Sequence, residues 1–230
     1  MITSVDNKAI KDLAKLKQKK YRDETNTYII EGIHLIEEAR KHNVVKAIYT
    51  TESDSIFDEA ILLSPHVMKK ITDAKHVPNY VALVRKQPSK DVTNQVLILE
   101  NIQDPGNLGT LLRSALAFGF KTVVLDQSVD LYNPKVLRGA QGAHFHLNCH
   151  WMTVKNFHGT YPHTLIATAL EGETITPVKP PYAIILGNEG QGLKEETLAL
   201  ASHIFTIPIE TIDSLNVAVA GSILMHRLKA

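Results

Sequence analysis

The chain has 230 residues, 44% of them hydrophobic, which provides apolar surface for one large or two modest cores and argues against a disordered chain. No run of about 18 apolar residues occurs, so a transmembrane helix is excluded, and the charged opening MITSVDNKAIKDLAKLKQKK lacks the apolar stretch of a secretory signal. The single cysteine, Cys149, cannot form an internal disulfide and fits a reducing cytoplasm.

The formal net charge is +1, but the basic excess of residues 1–90 is concentrated between Lys11 and Arg22. That run sits on an amphipathic helix predicted over residues 7–20 from the spacing of Ala9, Ile10, Leu13 and Leu16. Taken alone, it reads as a solvated helix face. Residues 27–31 (TYIIE) then read as a strand, 33–42 as a helix, 44–50 as a strand and 53–63 as a helix. A brief strand or turn follows at 65–70, a short helix at 71–75 and a strand at 80–85. This alternation suffices for a small α/β sandwich over residues 1–88. The polar, aperiodic stretch KQPSKDVTNQ contains Pro88, so the linker is placed at 89–95 and a second domain at 96–230.

In that second domain, strands are predicted at 96–99, 122–125, 144–147, 164–169, 183–186 and 203–207. Helices are predicted at 108–118, 134–140, 154–159, 194–201 and 214–229. The pattern is that of a doubly wound, mainly parallel α/β domain, whose ligands bind beyond the carboxyl ends of its strands. Three strand-end turns carry the chemistry. In VLILENIQDPGNLGTLLRSALAFGF the apolar run ends in a polar turn. Asn107 reads as the N-cap of a helix whose core stripe is Leu108, Leu111, Leu112, Ala115 and Leu116. Arg113 falls at about 240° on the helical wheel, off that stripe. In AIILGNEGQGL a buried strand opens into a turn around Glu189 with Gly187, Gly190 and Gly192. It is neither a dinucleotide fingerprint nor a P-loop. In IPIETIDSLNVAVA, Ser214 reads as the cap of a helix opening with Leu215, Asn216 and Val217. His144, His146 and His150 have no supporting cysteine or carboxylate set, so no metal is expected.

Together these turns resemble the SpoU (TrmH-like) branch of the SPOUT RNA methyltransferases. Asp104, Pro105, Asn107, Gly109, Arg113 and Ala115 match DPxNxGxxxRxA. Gly187, Glu189 and Gly192 match GxExxG, and Ile207, Pro208, Ser214, Leu215, Asn216, Val217, Val219 and Ala220 match IP followed by SLNVxVA. Upstream, YIIEGIHLIEEA resembles the start of an L30e-like RNA substrate-binding domain. The resemblance implies a deep trefoil knot in the C-terminal domain and S-adenosylmethionine as cofactor. Gly187, Ile207 and Leu215 are then its principal contacts, with Thr168, Ala169, Asn188, Glu189, Pro208 and Asn216 beside them.

It further implies methyl transfer to a ribose 2′-hydroxyl of RNA, most of all 23S rRNA, by a cytoplasmic homodimer. Asn107, Arg113, Glu189, Ser214 and Asn216 form the catalytic set. Arg113 acts as the base or, since a guanidinium stays protonated at neutral pH, holds phosphate or orients the ribose. Glu189 and Ser214 orient Arg113 or the cofactor. Lys15, Lys17, Lys19, Lys20, Arg22 and Arg138 become RNA contacts. A noncatalytic RNA-binding or ribosome-assembly protein, or a tRNA ribose methyltransferase, are the alternatives. One departure stands out: the turn IETID after Pro208 is one residue shorter than the usual PMxGxxxSLN form and lacks its glycine.

Overall fold

A computed structural model describes residues 1–74 and 76–229. The chain divides into two compact units, one of residues 1–88 with 132–138, the other of residues 89–131 with 139–229. The 132–138 stretch, assigned to the second domain from sequence, groups with the first unit.

The first unit opens with α1 (Lys8–Lys15), α2 (Lys19–Thr25), β1 (Thr27–Glu31), α3 (Ile33–Lys41) and β2 (Val45–Thr50). After these come β3 (Ile61–Leu62), α4 (Pro65–Ile71) and β4 (Tyr80–Arg85). Its sheet runs β1-β4-β2-β3, antiparallel except for β2 with β3. Ile10, Leu13 and Leu16 pack with Val67, Met68 and Ile71 over Tyr49 and Val81. The alternate residues Ile30, Ile48, Ala82 and Val84 are buried too, so both faces of the sheet are covered.

Four expectations fail here. The first helix stops at Lys15, because Leu16, Lys17 and Gln18 turn back through tighter i→i−3 bonds to Leu13, Ala14 and Lys15. Residues 53–60 are turns rather than helix: Ser55 Oγ accepts from Phe57 N at 3.1 Å, a local bond that competes with helix formation. Residues 65–71 form a helix, not a strand, since Pro65 sits at a helix start where its missing N–H has no cost. Of the short helix expected at 71–75, Ile71 is the last residue of α4 and 72–74 are not helical; Lys75 lies outside the described residues.

Arg22 also needs correction as an RNA contact. It is 5% exposed, and its Nη1 donates to the carbonyls of Leu16 at 2.6 Å and Lys17 at 2.8 Å, closing the end of α1. Arg22→Met should therefore cost about 2–3 kcal/mol in urea unfolding, the scale of hydrogen bonds to a buried charge. A loss under about 0.5 kcal/mol, as at ordinary surface positions, would return Arg22 to the surface.

The second unit contains β5 (Gln95–Glu100), α5 (Pro105–Ala117) and β6 (Thr122–Asp126). The helix α6 (Pro134–Ala140) straddles the two units. Then come β7 (Asn148–Trp151), α7 (Val154–Thr160), β8 (Thr164–Thr174), β9 (Tyr182–Leu186), α8 (Glu195–Leu200), β10 (His203–Thr206) and α9 (Val217–Leu228). All six strands are parallel, in the order β10-β8-β9-β5-β6-β7. The inner strands are buried on both faces, which is why they read as unbroken apolar runs. Val96, Ile98, Val124, Ala183 and Ile185 face Val154 and Phe157 of α7, with Leu193 and Leu200 packed beside them. On the other face Gly221 of α9 lies against Leu111 and Leu186, whose methyl groups would have to move to admit a Cβ there. The strand expected at 144–147 is instead a 3-10 turn at Ala143–Phe145, and the edge strand β7 follows it.

Candidate active site

Parallel strands place the ends of β8, β9, β10 and β5 along one sheet edge, with β8, β9 and β10 consecutive neighbours. At the end of β5, Asn101 takes a left-handed conformation (φ 58°) and the chain turns into α5. The N-cap of α5 is Asp104, not Asn107: its Oδ1 accepts from Asn107 N at 2.8 Å and Pro105 occupies the first turn. The Asp-Pro pair was the signal for this cap. Asn107 thus sits inside the first turn with its amide released for other partners.

Those partners come from the other two turns. Asn107 Nδ2 donates to Glu189 Oε1 at 3.0 Å, and Asn107 Oδ1 accepts from Asn216 Nδ2 at 2.9 Å. Asn216 Oδ1 in turn accepts from Ala218 N at 2.9 Å and Val219 N at 3.4 Å, so Asn216 caps α9 in place of Ser214. Glu189, Asn107 and Asn216 form one continuous chain of hydrogen bonds across the three motifs.

Glu189 is anchored further by backbone donors, Gln103 N at 3.3 Å and Asp104 N at 3.1 Å. Loss of water around the carboxylate would raise its pKa. The Asn107 amide and the backbone N–H groups of Glu189, Asp104 and Gln103 outweigh that, so its pKa lies below the usual glutamate value. A lowered folded-state pKa gives stability that is present above the unfolded value and is lost as pH falls through the folded one. Asn107→Ala should therefore flatten the dependence of Tm on pH between about 3 and 6; an unchanged profile would separate Asn107 from Glu189.

The turn after β9 holds itself together. Asn188 and Gly192 exchange backbone bonds at 3.0 Å, and Asn188 Oδ1 accepts from Gly190 N at 2.9 Å and Gln191 N at 3.0 Å. A Cβ on Gly187 would collide with the backbone of Gly192 and Leu193. Asn188, expected as a cofactor contact, thus uses its side chain within the turn and on Asn101 O at 2.9 Å.

Around the cofactor positions, the β8–β10 ladder jumps from Ile204 opposite Ala167 to Phe205 opposite Glu173, so residues 168–172 bow out. Thr206 Oγ1 donates to Leu170 O at 2.8 Å across the bow, and Thr168 Oγ1 to Ile185 O at 3.1 Å. Gly187 follows the end of β9, Ile207 and Pro208 follow the end of β10, and Thr168 and Ala169 lie within β8 just past its last pairing with β9, with Leu215 just before α9. Gly187, Ile207 and Leu215 take part in none of the turn and loop backbone hydrogen bonds among the described residues. Half-buried apolar side chains beside such backbone groups fit a ligand with an apolar ring and polar edges.

In the shortened turn, Thr211 adopts φ 70°. A β-branched residue in that region is strained by about 1–2 kcal/mol. Thr211→Gly should raise stability by up to about 1 kcal/mol after the entropy cost of glycine, read as an increase in Tm. A decrease would show that the turn does not hold this conformation in solution.

Arg113 is exposed on α5 and Ser214 exposed before α9; among the described residues neither side chain makes a hydrogen bond or ion pair. Glu189 does not orient Arg113, because both its oxygens are engaged with residues 103–107 and Asn188. Of the expected RNA contacts, Lys15 pairs with Asp12 at 2.8 Å, Lys19 with Asp23 at 2.6 Å and Lys20 with Glu24 at 3.9 Å, all well exposed. Lys17 donates to Thr72 O at 2.7 Å and pairs with Asp73, and Arg138 pairs with Glu31 at 3.1 Å. Among the described residues, no helix is long and apolar enough to cross a membrane.

Comparison with known proteins places the chain in a family. A model of the SpoU rRNA Methylase family matches residues 94–226, and one of the MRM3-like substrate binding domain matches residues 7–82. The chain is 36% identical over 249 residues to the Bacillus subtilis protein named 23S rRNA (guanosine(2553)-2'-O)-methyltransferase RlmP, covering 99% of this chain and 98% of that one. Human mitochondrial rRNA methyltransferase 3 is 26% identical, with 93% of this chain and 70% of that one covered. A crystal structure described as an RNA 2'-O ribose methyltransferase superposes with a TM-score of 0.81 at 30% identity over 98% and 96% of the two chains. An AdoMet-bound rRNA methyltransferase from Sinorhizobium meliloti superposes with a TM-score of 0.86 at 25% identity over 98% and 95%. With a family model over more than half its length and a relative of that identity across nearly all of it, the chain belongs to the SpoU rRNA methylase family.

Proposed function

We propose that the protein transfers a methyl group from S-adenosylmethionine to a ribose 2′-hydroxyl of RNA, with 23S rRNA as substrate. The observation that carries this reading is the hydrogen-bonded Glu189, Asn107 and Asn216, which ties the RNA-side turn of β5 to the two turns beside the open strand ends. When bound, the cofactor supplies an electrophilic methyl on a sulfonium. Gly187, Ile207 and Leu215 hold it through backbone groups, with Thr168, Ala169 and Pro208 lining the slot. Glu189 fixes Asn107, and Asn107 with Asn216 sets the position of the ribose, since in-line placement of the oxygen supplies much of the acceleration. Arg113, exposed and uncommitted to any partner in the described residues, grips the adjacent phosphate or ribose.

The same reading gives residues 1–88 as an L30e-like RNA-binding domain, 89–95 as linker and 96–230 as the methyltransferase domain with its C-terminal trefoil knot. The match of the substrate-binding model to residues 7–82 supports the first of these. A cytoplasmic homodimer, joined through the knotted domain, completes the RNA site; closed two-fold assemblies are the usual oligomers of soluble chains. Exposed Lys15, Lys19 and Lys20 serve as phosphate contacts, and their binding should weaken as salt rises. Calorimetric titration with S-adenosylmethionine tests the cofactor assignment: saturable binding is expected, and no heat at millimolar cofactor would overturn it.

A further inference from the structure

Glu100 closes β5 with a side chain 2% exposed to solvent. It continues the alternation of Val96 and Ile98, so it faces the α7 and α8 side of the sheet. A carboxylate taken this far from water destabilises the fold unless donors reach it. The donors come from the start of α8: Lys194 N lies 3.0 Å from Oε2, Thr197 Oγ1 2.6 Å from Oε1, and Lys194 Nζ 3.8 Å from Oε1. The next residue, Asn101, accepts from Asn188 Nδ2 at 2.9 Å. Two consecutive residues at the end of β5 thus grip the Gly187 turn at its entry, Asn188, and at its exit, Lys194.

We propose that Glu100 is a positioning residue for cofactor binding, acting through Lys194 and Thr197 to fix the exit of the turn that carries Gly187 and Glu189. This rests on the S-adenosylmethionine reading above. A neighbouring buried acid provides a comparison. Asp126 is the register partner of Glu100 on β6, is also 2% exposed, and accepts from Val154 N at 2.9 Å at the start of α7. That helix follows β7 and does not continue the Gly187 turn. Both acids cap a helix from inside the sheet; only Glu100 caps the one that leaves the turn.

The test compares Glu100→Gln, Thr197→Val and Asp126→Asn in the full chain, by calorimetry with S-adenosylmethionine, thermal unfolding and steady-state kinetics on rRNA. Glu100→Gln is expected to weaken cofactor binding about tenfold, the size of one lost charge-assisted hydrogen bond. KM for the cofactor should rise with kcat within about twofold, the mark of lost ground-state binding. Thr197→Val should shift binding in the same direction by less, and it carries the test if Glu100→Gln fails to fold. Asp126→Asn should leave cofactor affinity unchanged whatever it does to Tm. Affinity within twofold of wild type in Glu100→Gln and Thr197→Val, or an equal loss in Asp126→Asn, would make Glu100 a purely structural cap. A wild-type protein that binds no S-adenosylmethionine would instead remove the cofactor reading itself.

Discussion

Arg113→Ala is expected to lower methyl transfer by about 10²–10³-fold, the scale on which a single transition-state donor acts, while leaving S-adenosylmethionine affinity within about twofold. The helical wheel puts Arg113 off the apolar stripe of α5, and the structure leaves it exposed with no internal partner among the described residues. Removing it deletes no packing and orphans no buried group, so stability should change by less than about 0.5 kcal/mol. Arg113→Lys keeps the charge but loses the two-pronged geometry that matches a phosphate, and it should recover only a small part of the rate. A variant with normal turnover would remove Arg113 from the reaction. Equal losses of cofactor affinity and turnover would move it to the cofactor side.

Asn107→Ala should give the second large effect, of a different kind. It cuts two bonds at once, leaving Glu189 Oε1 without its side-chain donor and Asn216 Nδ2 without its acceptor. The expected cost is about 1–2 kcal/mol of stability together with a loss of about 10²-fold in turnover, since misplacement by an ångström is enough for that. Asn107→Asp would set a second carboxylate against Glu189, and repulsion should make it less active at neutral pH than Asn107→Ala. Stability loss accompanies activity loss for Asn107 and not for Arg113, which distinguishes a residue that holds the site together from one that reaches out of it. If Asn107→Ala retains full activity, the hydrogen-bonded chain is a by-product of packing.

The inner strands were legible because burial on both faces leaves unbroken apolar runs along their middles. Gln95–Glu100, Thr122–Asp126 and Tyr182–Leu186 follow runs such as VLIL and AIIL closely. The edge strand β7 was not, since NCHW buries little and the more periodic 144–147 stretch invites the wrong choice. In the first unit the basic run hid Arg22, whose guanidinium reaches carbonyls five and six residues earlier, a relation that charge counting does not see. At the site, Asn107 and Asn216 were recognisable by motif, but their mutual hydrogen bond spans 109 positions of sequence. Both cap assignments moved because a capping side chain can come from any of several polar residues in a turn: Asp104 took the cap from Asn107, and Asn216 took it from Ser214. Each move released or engaged the amide that links the motifs. Glu100 carries its own signal in the sequence, an ionisable residue ending an apolar strand.

The most direct measurement is mass spectrometry of nucleosides from rRNA incubated with the protein and S-adenosylmethionine bearing a heavy methyl group, using rRNA from cells lacking the gene. The heavy label should appear in a 2′-O-methylnucleoside from 23S rRNA, and Arg113→Ala should abolish it. Label on a base, or none on rRNA from a protein that binds the cofactor, would contradict ribose methylation of rRNA as the activity.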